Sequence, residues 1–187
     1  IIGVRNILSE VPEDYKLYQN YPNPFINYLN KTRILARDYG VDSSCVFTGR
    51  LSEEDLIKFY NISDVFIHLS IDDFETFGIS LIEAMSCRKP VISTAVGGPK
   101  EILENGKIQM GRDVGILIPP EDVESIAESV IYLLCHPEEA REMGKRAREY
   151  VLRNYSSDLI AEKTLEVYNY VLANRGFNRD DAGKGSS

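Results

Sequence analysis

The sequence has no long apolar run. No stretch of about 18 or more consecutive apolar residues occurs in its 187 residues, which argues against a membrane-spanning helix. The first residues also lack the charged, apolar and small-residue order of a signal peptide. The basic residues Arg141, Lys145, Arg146 and Arg148 have glutamate neighbours at 138, 139, 142 and 149, which indicates a salt-bridged helix face rather than a membrane-binding patch. We therefore expect a soluble, cytoplasmic domain with no membrane contact of its own.

Positive charge and cysteine are both scarce. Lysine and arginine number 21 against 29 acidic residues, giving a formal charge of -8. This balance excludes a broad nucleic-acid-binding surface, so an anionic ligand would have to be held locally. Cys45, Cys87 and Cys135 are too scattered for a disulfide framework or a metal cluster, and a reducing cytosol fits them. We predict neither a metal nor a cofactor.

The chain does contain an alternation of strand-like and helix-like segments. The strand-like segments are short apolar runs without clean polar alternation, as in strands covered on both faces: Tyr15–Gln19, Cys45–Thr48, Asp64–Leu69, Pro90–Thr94 and Gly115–Ile118. Segments of helical spacing separate them. This order predicts an α/β fold, a Rossmann-like parallel sheet flanked by helices.

Beyond Ile118 the alternation stops, and three helices are predicted at 121–135, 137–152 and 156–173. In the first of them the apolar residues of helical spacing form one predicted stripe: Val123, Ile126, Ala127, Val130, Ile131 and Leu134. We assign residues 1–173 to one domain and 174–187 to a disordered tail or cloning remnant. Val4–Leu8 is interpreted as the end of a helix, so the domain is expected to be truncated at its N-terminal edge.

The segment from Glu75 to Glu83 carries the most specific chemistry. It follows a predicted strand and opens a helix, which places it at the carboxyl end of a parallel sheet, where such folds bind ligands. Gly78 allows close backbone approach, and the N–H groups of Gly78, Ile79 and Ser80 would point outward with the helix dipole. That arrangement predicts a diphosphate-binding site that needs no metal.

The two glutamates would bracket this site. One carboxylate can face a sugar and the other a ribose, whose paired hydroxyls suit donation to a carboxylate. Ser80 and Glu83 also have the spacing of a capping box, which is a structural alternative for Glu83. Gly97-Gly98-Pro99 is on its own an ordinary turn, with Pro99 at the first helical position. His68 is interpreted as a hydrogen-bonded core residue.

The motifs together resemble a known family. The Glu75-Thr-Phe-Gly-Ile-Ser-Leu-Ile-Glu83 segment, followed by Cys87-Arg-Lys-Pro and Gly97-Gly98-Pro-Lys-Glu, is similar to the C-terminal, donor-binding domain of retaining GT-B glycosyltransferases of the family-4, or group 1, type. Val46-Phe-Thr-Gly and Gly115-Ile-Leu-Ile-Pro-Pro fall in that family's order. The resemblance extends from about residue 14 to about residue 168.

The resemblance implies roles for particular residues. Glu75 would contact the transferred sugar and is catalytic in that broad sense, while Glu83 would hold the nucleotide ribose. The remaining donor-binding residues implied by the family are Phe77, then Gly78, Ile79 and Ser80 at the diphosphate, Gly49, Arg50 and Leu51 beside the base, and Gly97 and Gly98 near the sugar. The family's Arg and Lys phosphate clamp and its N-terminal acceptor domain have no counterpart in the sequence.

The implied function is donor binding in a retaining, metal-independent transfer of a hexosyl-type sugar from a nucleotide-diphosphate sugar to an acceptor hydroxyl. The acceptor, a sugar, a lipid-linked sugar or another hydroxyl compound, would be bound by the N-terminal domain, so the 187-residue chain alone is expected to be inactive. Two alternatives stay open: a non-catalytic nucleotide-sugar-binding or interaction domain, and a partner subunit with a decayed site. The second alternative is disfavoured because both glutamates and Gly78 are present.

Overall fold

The computed structural model describes residues 24–71 and 75–174. Their helices and strands follow one another in this order: α1 Pro24–Asp38, a 3-10 turn Asp42–Ser44, α2 Glu53–Ile62, β1 Phe66–His68, α3 Ile79–Ser86, β2 Val91–Thr94, α4 Gly97–Met110, β3 Ile116–Ile118, α5 Val123–Cys135, α6 Pro137–Asn154 and α7 Ser157–Asn174. The predicted alternation is thus confirmed from β1 to β3, and so is the run of three helices that follows.

The three strands form a parallel sheet in the order β1-β2-β3. Phe66 pairs with Val91 and His68 with Ser93, while Thr94 of β2 pairs with Ile118 of β3. All four residues of β2 are buried, which explains why its sequence shows no polar alternation. The predicted Rossmann-like α/β class is confirmed for the described residues.

Hydrophobic residues pack on both faces of the sheet. Val91 belongs to a cluster that contains Leu81 and Met85 of α3 together with residues of α2, α4 and α6. Ile92, the next residue of β2, belongs to a second cluster with Leu133 of α5 and residues from the first half of α6. Because successive side chains of a strand point to opposite faces, these two clusters are the two layers that cover the sheet.

The predicted strand at Cys45–Thr48 is wrong. Residues 45–49 have no strand hydrogen bonding, although Cys45 has an extended backbone (φ -109°, ψ 130°). A run of β-branched and aromatic residues becomes a strand only when a neighbour supplies the ladder, and no described residue does so here. The strand predicted at Tyr15–Gln19, the helix end at Val4–Leu8 and the tail at 175–187 lie outside the described residues.

The predicted stripe of the helix now labelled α5 is also partly wrong. Its single fully buried residue is Leu133, and Ile126 and Val130 pack beside it, at positions i, i+4 and i+7. The predicted members Val123, Ala127, Ile131 and Leu134 are exposed. The helix is apolar over a wide arc, and only one edge of that arc contacts the sheet, so periodicity alone selected the wrong edge.

Two adjacent leucines of α5 test this packing. Leu133 is 1% exposed and Leu134 is 48% exposed. We expect Leu133→Ala to lower the free energy of unfolding by about 2–5 kcal/mol, because it leaves a cavity against Ile92 and Met143. Leu134→Ala, the matched control, should cost far less. Urea denaturation of both variants measures the change in the free energy of unfolding. A larger loss of stability for Leu134→Ala would support the stripe predicted from the sequence.

Candidate functional site

The carboxyl ends of β1 and β2 are joined by side-chain and backbone hydrogen bonds. The Thr94 hydroxyl donates to the Ser70 carbonyl oxygen at 2.6 Å. Farther along, the N–H of Gly98, the second residue of α4, donates to the Glu75 carbonyl oxygen at 3.0 Å. The loop after β1 and the loop after β2 are therefore held side by side at the edge where parallel sheets bind ligands.

Gly98 allows the second of these contacts by its lack of a side chain. A Cβ at this position would lie 2.5 Å from Cα of Phe77 and 2.6 Å from the carbonyl oxygen of Thr76. Both atoms belong to the backbone, so neither can rotate away. The start of α4 is thus pressed directly against the loop that leads into α3.

Helix α3 starts immediately after this loop, with Gly78 as its N-cap. Gly78 has φ 89° and ψ 53°, a left-handed conformation that favours glycine, and its N–H donates to Oε1 of Glu75 at 3.1 Å. Helix geometry leaves the N–H groups of Ile79 and Ser80 without an acceptor inside the helix. A carboxylate oxygen therefore already lies where the helix start presents its positive end.

His68 joins the same group of residues. It is the last residue of β1 and 14% exposed, and its Nε2 lies 3.2 Å from the Ser70 hydroxyl and 3.5 Å from Oε2 of Glu75. Its Nδ1 lies 3.4 Å from the Ser80 hydroxyl. The predicted hydrogen bonding of His68 is confirmed, but the predicted core position is not, because His68 is only partly buried and belongs to neither core cluster. Its partners are candidate site residues, which the sequence analysis missed. Its place at the carboxyl end of a predicted strand was the available signal.

Glu83 is held from a different direction. Its Oε2 accepts a hydrogen bond of 2.9 Å from the hydroxyl of Tyr60, a buried residue of α2. The capping box with Ser80 is wrong, because the N-cap is Gly78 and Ser80 lies inside the helix. Burial, and secondarily the hydrogen bond to Glu83, raises the pKa of Tyr60 well above its usual value, so its hydroxyl stays protonated and donates.

The other candidate residues lie near these two anchors. Phe77 is about half exposed and contacts the Tyr155 ring edge-on at a centroid distance of 5.9 Å, and Ile79 is exposed. Gly49 and Arg50 are exposed in the loop before α2, and Leu51 is partly buried there. Pro99 is the third helical residue and not the first as predicted, because α4 already begins at Gly97.

The structure thus gathers most of the predicted site into two groups beside α3. Glu75, Phe77, Gly78, Ser80 and Gly98 meet around the helix start, and Glu83 lies one turn farther along with Tyr60. Gly49–Leu51 are related to Glu83 through α2, which begins at Glu53 and carries Tyr60. Tyr60 was missed because its contact with Glu83 spans 23 positions of sequence.

Two shallow clefts lie elsewhere on the molecule. The larger, of about 500 Å³, lies between the end of α4 and the first half of α6, where Lys107 and Asp113 form an ion pair of 3.0 Å. The smaller, of about 400 Å³, opens beside Asp64, Arg88 and Arg141, before the starts of β1 and β2. Neither includes a predicted site residue; the larger is lined mostly by charged side chains, and the smaller by charged and apolar residues together. We assign neither a ligand.

Metal-binding and membrane-spanning features were sought in the same residues. Across residues 24–71 and 75–174, no three histidine, cysteine or acidic side chains converge as a metal site would require. None of the helices in these two ranges is both long and apolar enough to span a bilayer.

Comparison with known proteins now places the chain in a family. Residues 26–150 match the family described as Glycosyl transferases group 1. Over 138 residues the chain is 33% identical to the N-acetyl-alpha-D-glucosaminyl L-malate synthase of Bacillus anthracis, a match covering 74% of this chain and 34% of that protein. The chain belongs to the group 1 glycosyl transferases, as a C-terminal domain of the GT-B type.

Solved structures agree with this fold. A glycosyltransferase from Rickettsia africae superimposes with a TM-score of 0.71 at 30% identity, over 80% of this chain and 38% of that one. HepE from Anabaena, solved in complex with UDP-glucose, superimposes with a TM-score of 0.70 at 20% identity, over 79% and 38%. The chain thus spans 34–38% of the length of these three proteins.

Gly98→Ala tests whether the close approach of α4 positions the α3 start. Alanine favours a helix, so an open position would be stabilised by about 1 kcal/mol. We expect instead a loss of about 1–3 kcal/mol, because the new Cβ meets the backbone of Thr76 and Phe77. Urea denaturation measures the loss, and faster hydrogen exchange of the Gly78 amide should accompany it. Lys100→Ala, exposed on the same helix, is the control; stabilisation by Gly98→Ala would contradict the contact.

Proposed function

We propose that this domain binds a nucleotide-diphosphate sugar and serves as the donor half of a retaining, metal-independent glycosyltransferase that moves a hexosyl-type sugar to an acceptor hydroxyl. The observation that carries the proposal is the start of α3, where the Gly78 N–H already holds a carboxylate oxygen of Glu75 at 3.1 Å. An N–H group that binds one anionic oxygen there can bind another. In this proposal a phosphate oxygen replaces the carboxylate.

The diphosphate would be bound by the backbone. The N–H groups of Gly78, Ile79 and Ser80 lie in the first turn of α3, where the helix dipole favours an anion by about 0.3–2 kcal/mol. Close approach of a phosphate is favoured by the absence of a Cβ at Gly78. A helix end binds phosphate without a metal, which is the basis for proposing metal independence. Arg50 is a candidate for additional charge, through the loop before α2.

The ribose would lie one helical turn away. Glu83 is three residues beyond Ser80, which corresponds to about 4.5 Å along the helix axis and to the same face. A diphosphate and the ribose attached to it are separated by a comparable step. The partly exposed Glu83 carboxylate has room for ribose hydroxyls besides its hydrogen bond from Tyr60.

Glu75 would act at the sugar once the nucleotide displaces it from Gly78. Its carboxylate then keeps its second partner, His68, whose Nε2 is 3.5 Å from Oε2 of Glu75. Support for a sugar donor comes from the relatives: one is named N-acetyl-alpha-D-glucosaminyl L-malate synthase, and HepE was solved with UDP-glucose. The hexosyl class, the retaining outcome and the acceptor belong to the proposal and rest on family membership.

The position of the phosphates is the most direct test. We expect a crystal of the 187-residue chain soaked with UDP or GDP to show the diphosphate at the N–H groups of Ile79 and Ser80, with Glu75 turned away from Gly78. Adding a chelator should leave that binding unchanged. Phosphates that refine at the cleft beside Lys107, or binding abolished by the chelator, would contradict the proposal.

Glu83→Gln tests the ribose contact in solution. The amide is isosteric but uncharged and is a poorer partner for paired hydroxyls, so we expect affinity for UDP or GDP to fall about 5- to 50-fold by calorimetry. The melting temperature should change little, since the capping box is absent. Glu139→Gln is the matched control, because Glu139 also accepts from a tyrosine hydroxyl, that of Tyr132. Equal effects of the two variants would rule out a specific ribose role.

A further inference from the structure

Tyr60 occupies a special place beside the proposed ribose site. We propose that Tyr60 is a positioning residue that fixes the Glu83 carboxylate for a ribose diol and so makes the domain selective for ribonucleotides. The proposal rests on the proposed function, because it assumes that Glu83 is the ribose ligand. It goes further by assigning a role to a residue of another helix.

The Tyr60 side chain has little freedom to move. It is 3% exposed, and its ring meets Phe66 of β1 edge-on at a centroid distance of 5.6 Å and an interplanar angle of 65°. Both rings belong to the same core cluster as Leu81 and Ala84 of α3. The hydroxyl that contacts Glu83 therefore belongs to a ring held in place by core packing, and not to a flexible surface side chain.

The hydrogen bond between the two side chains has a defined direction. The Tyr60 hydroxyl donates to Oε2 of Glu83 at 2.9 Å, and a buried hydroxyl needs such a partner. A carboxylate offers about four lone-pair sites, so one bond from Tyr60 orients the group and leaves sites for two ribose hydroxyls. Without Tyr60 the Glu83 side chain would have to be ordered at the moment of binding, which weakens binding.

The location of Tyr60 adds a second consequence. Helix α2 is N-capped by Ser52, which directly follows the loop of Gly49, Arg50 and Leu51. Tyr60 is therefore the point at which the helix after the proposed base loop contacts the proposed ribose ligand on α3. The hydrogen bond from Tyr60 to Glu83 therefore helps to fix the distance between the loop proposed to bind the base and the carboxylate proposed to bind the ribose.

The test compares ligands that differ only in the ribose. Tyr60→Phe keeps the ring and removes the hydroxyl, and Tyr132→Phe removes the equivalent hydrogen bond to Glu139 far along the chain, on α5. Calorimetry on the 187-residue chain would use UDP, GDP, their 2′-deoxy forms and inorganic pyrophosphate. We expect Tyr60→Phe to weaken ribonucleotide binding about 5- to 30-fold, to leave pyrophosphate binding unchanged and to reduce the preference for ribose over deoxyribose. Tyr132→Phe should change none of these.

The outcomes separate this proposal from the proposed function. If Glu83→Gln reduces the ribose preference and Tyr60→Phe does not, the positioning role is wrong and the proposed function stands. If Glu83→Gln leaves the preference intact, the assignment of Glu83 itself fails. Equal weakening of UDP and pyrophosphate by Tyr60→Phe would show a structural role alone and would also overturn the proposal.

A double variant protects the test against loss of stability. Tyr60→Phe combined with Glu83→Gln leaves no carboxylate without its donor, so it bypasses the main folding defect expected of Tyr60→Phe. If Tyr60 acts through Glu83, the double variant should show the same ribose preference as Glu83→Gln alone, because the two residues act as one unit. Additive losses from the two substitutions would contradict the proposal.

Discussion

The close approach of Gly98 to the backbone of Thr76 and Phe77 is the constraint on which the rest of the site depends. It brings the starts of α3 and α4 together, and the Gly98 N–H fixes the carbonyl of Glu75. Only from that backbone position does the Glu75 carboxylate reach both the Gly78 N–H and the vicinity of His68. The contact between the start of α4 and the loop before α3 thus determines the direction of the α3 start and the position of the Glu75 carboxylate.

The two glutamates of the site are held by different parts of the fold. Glu75 depends on the loops at the carboxyl edge, whereas Glu83 depends on α2 through Tyr60. The two groups lie one helical turn apart and are linked by the Phe66 ring, which meets Tyr60 edge-on at 5.6 Å and stacks with His68 at 6.4 Å. Changes at one group should therefore couple to changes at the other, as expected for residues that share a neighbour.

Features that depend on local pattern were predictable from the sequence, and features that depend on long-range contact were not. Strands β1, β2 and β3 are recognisable in the sequence as apolar runs, and Gly78 and its neighbours correctly predicted the start of α3. The run Cys45–Thr48 has the same local pattern but no pairing partner among the described residues. No local rule distinguishes these two cases, because a strand is defined by its neighbour.

The same limit explains the errors on side chains. Ser80 and Glu83 have capping-box spacing, yet α3 begins at Ile79 with Gly78 as its N-cap, so Ser80 is not a capping residue. The Glu83 carboxylate instead accepts a hydrogen bond from Tyr60, which lies 23 residues earlier in the chain on α2. The arc of α5 that faces the sheet is selected by α6 and β2, not by periodicity. His68 was correctly predicted to be hydrogen-bonded, but its partners are brought together only by the folded loop.

The hydrogen bond from the Gly78 N–H to Glu75 also limits which anions can bind at the start of α3. Because the carboxylate is tethered to the same loop, it competes at a high effective concentration with any anion from solution. A small anion that replaces one hydrogen bond with another gains almost nothing and is rejected. Only a ligand with several oxygens, able to reach Ile79 and Ser80 as well as Gly78, recovers more than it displaces. The glutamate therefore acts as an internal competitor that screens ligands by the number of contacts they make.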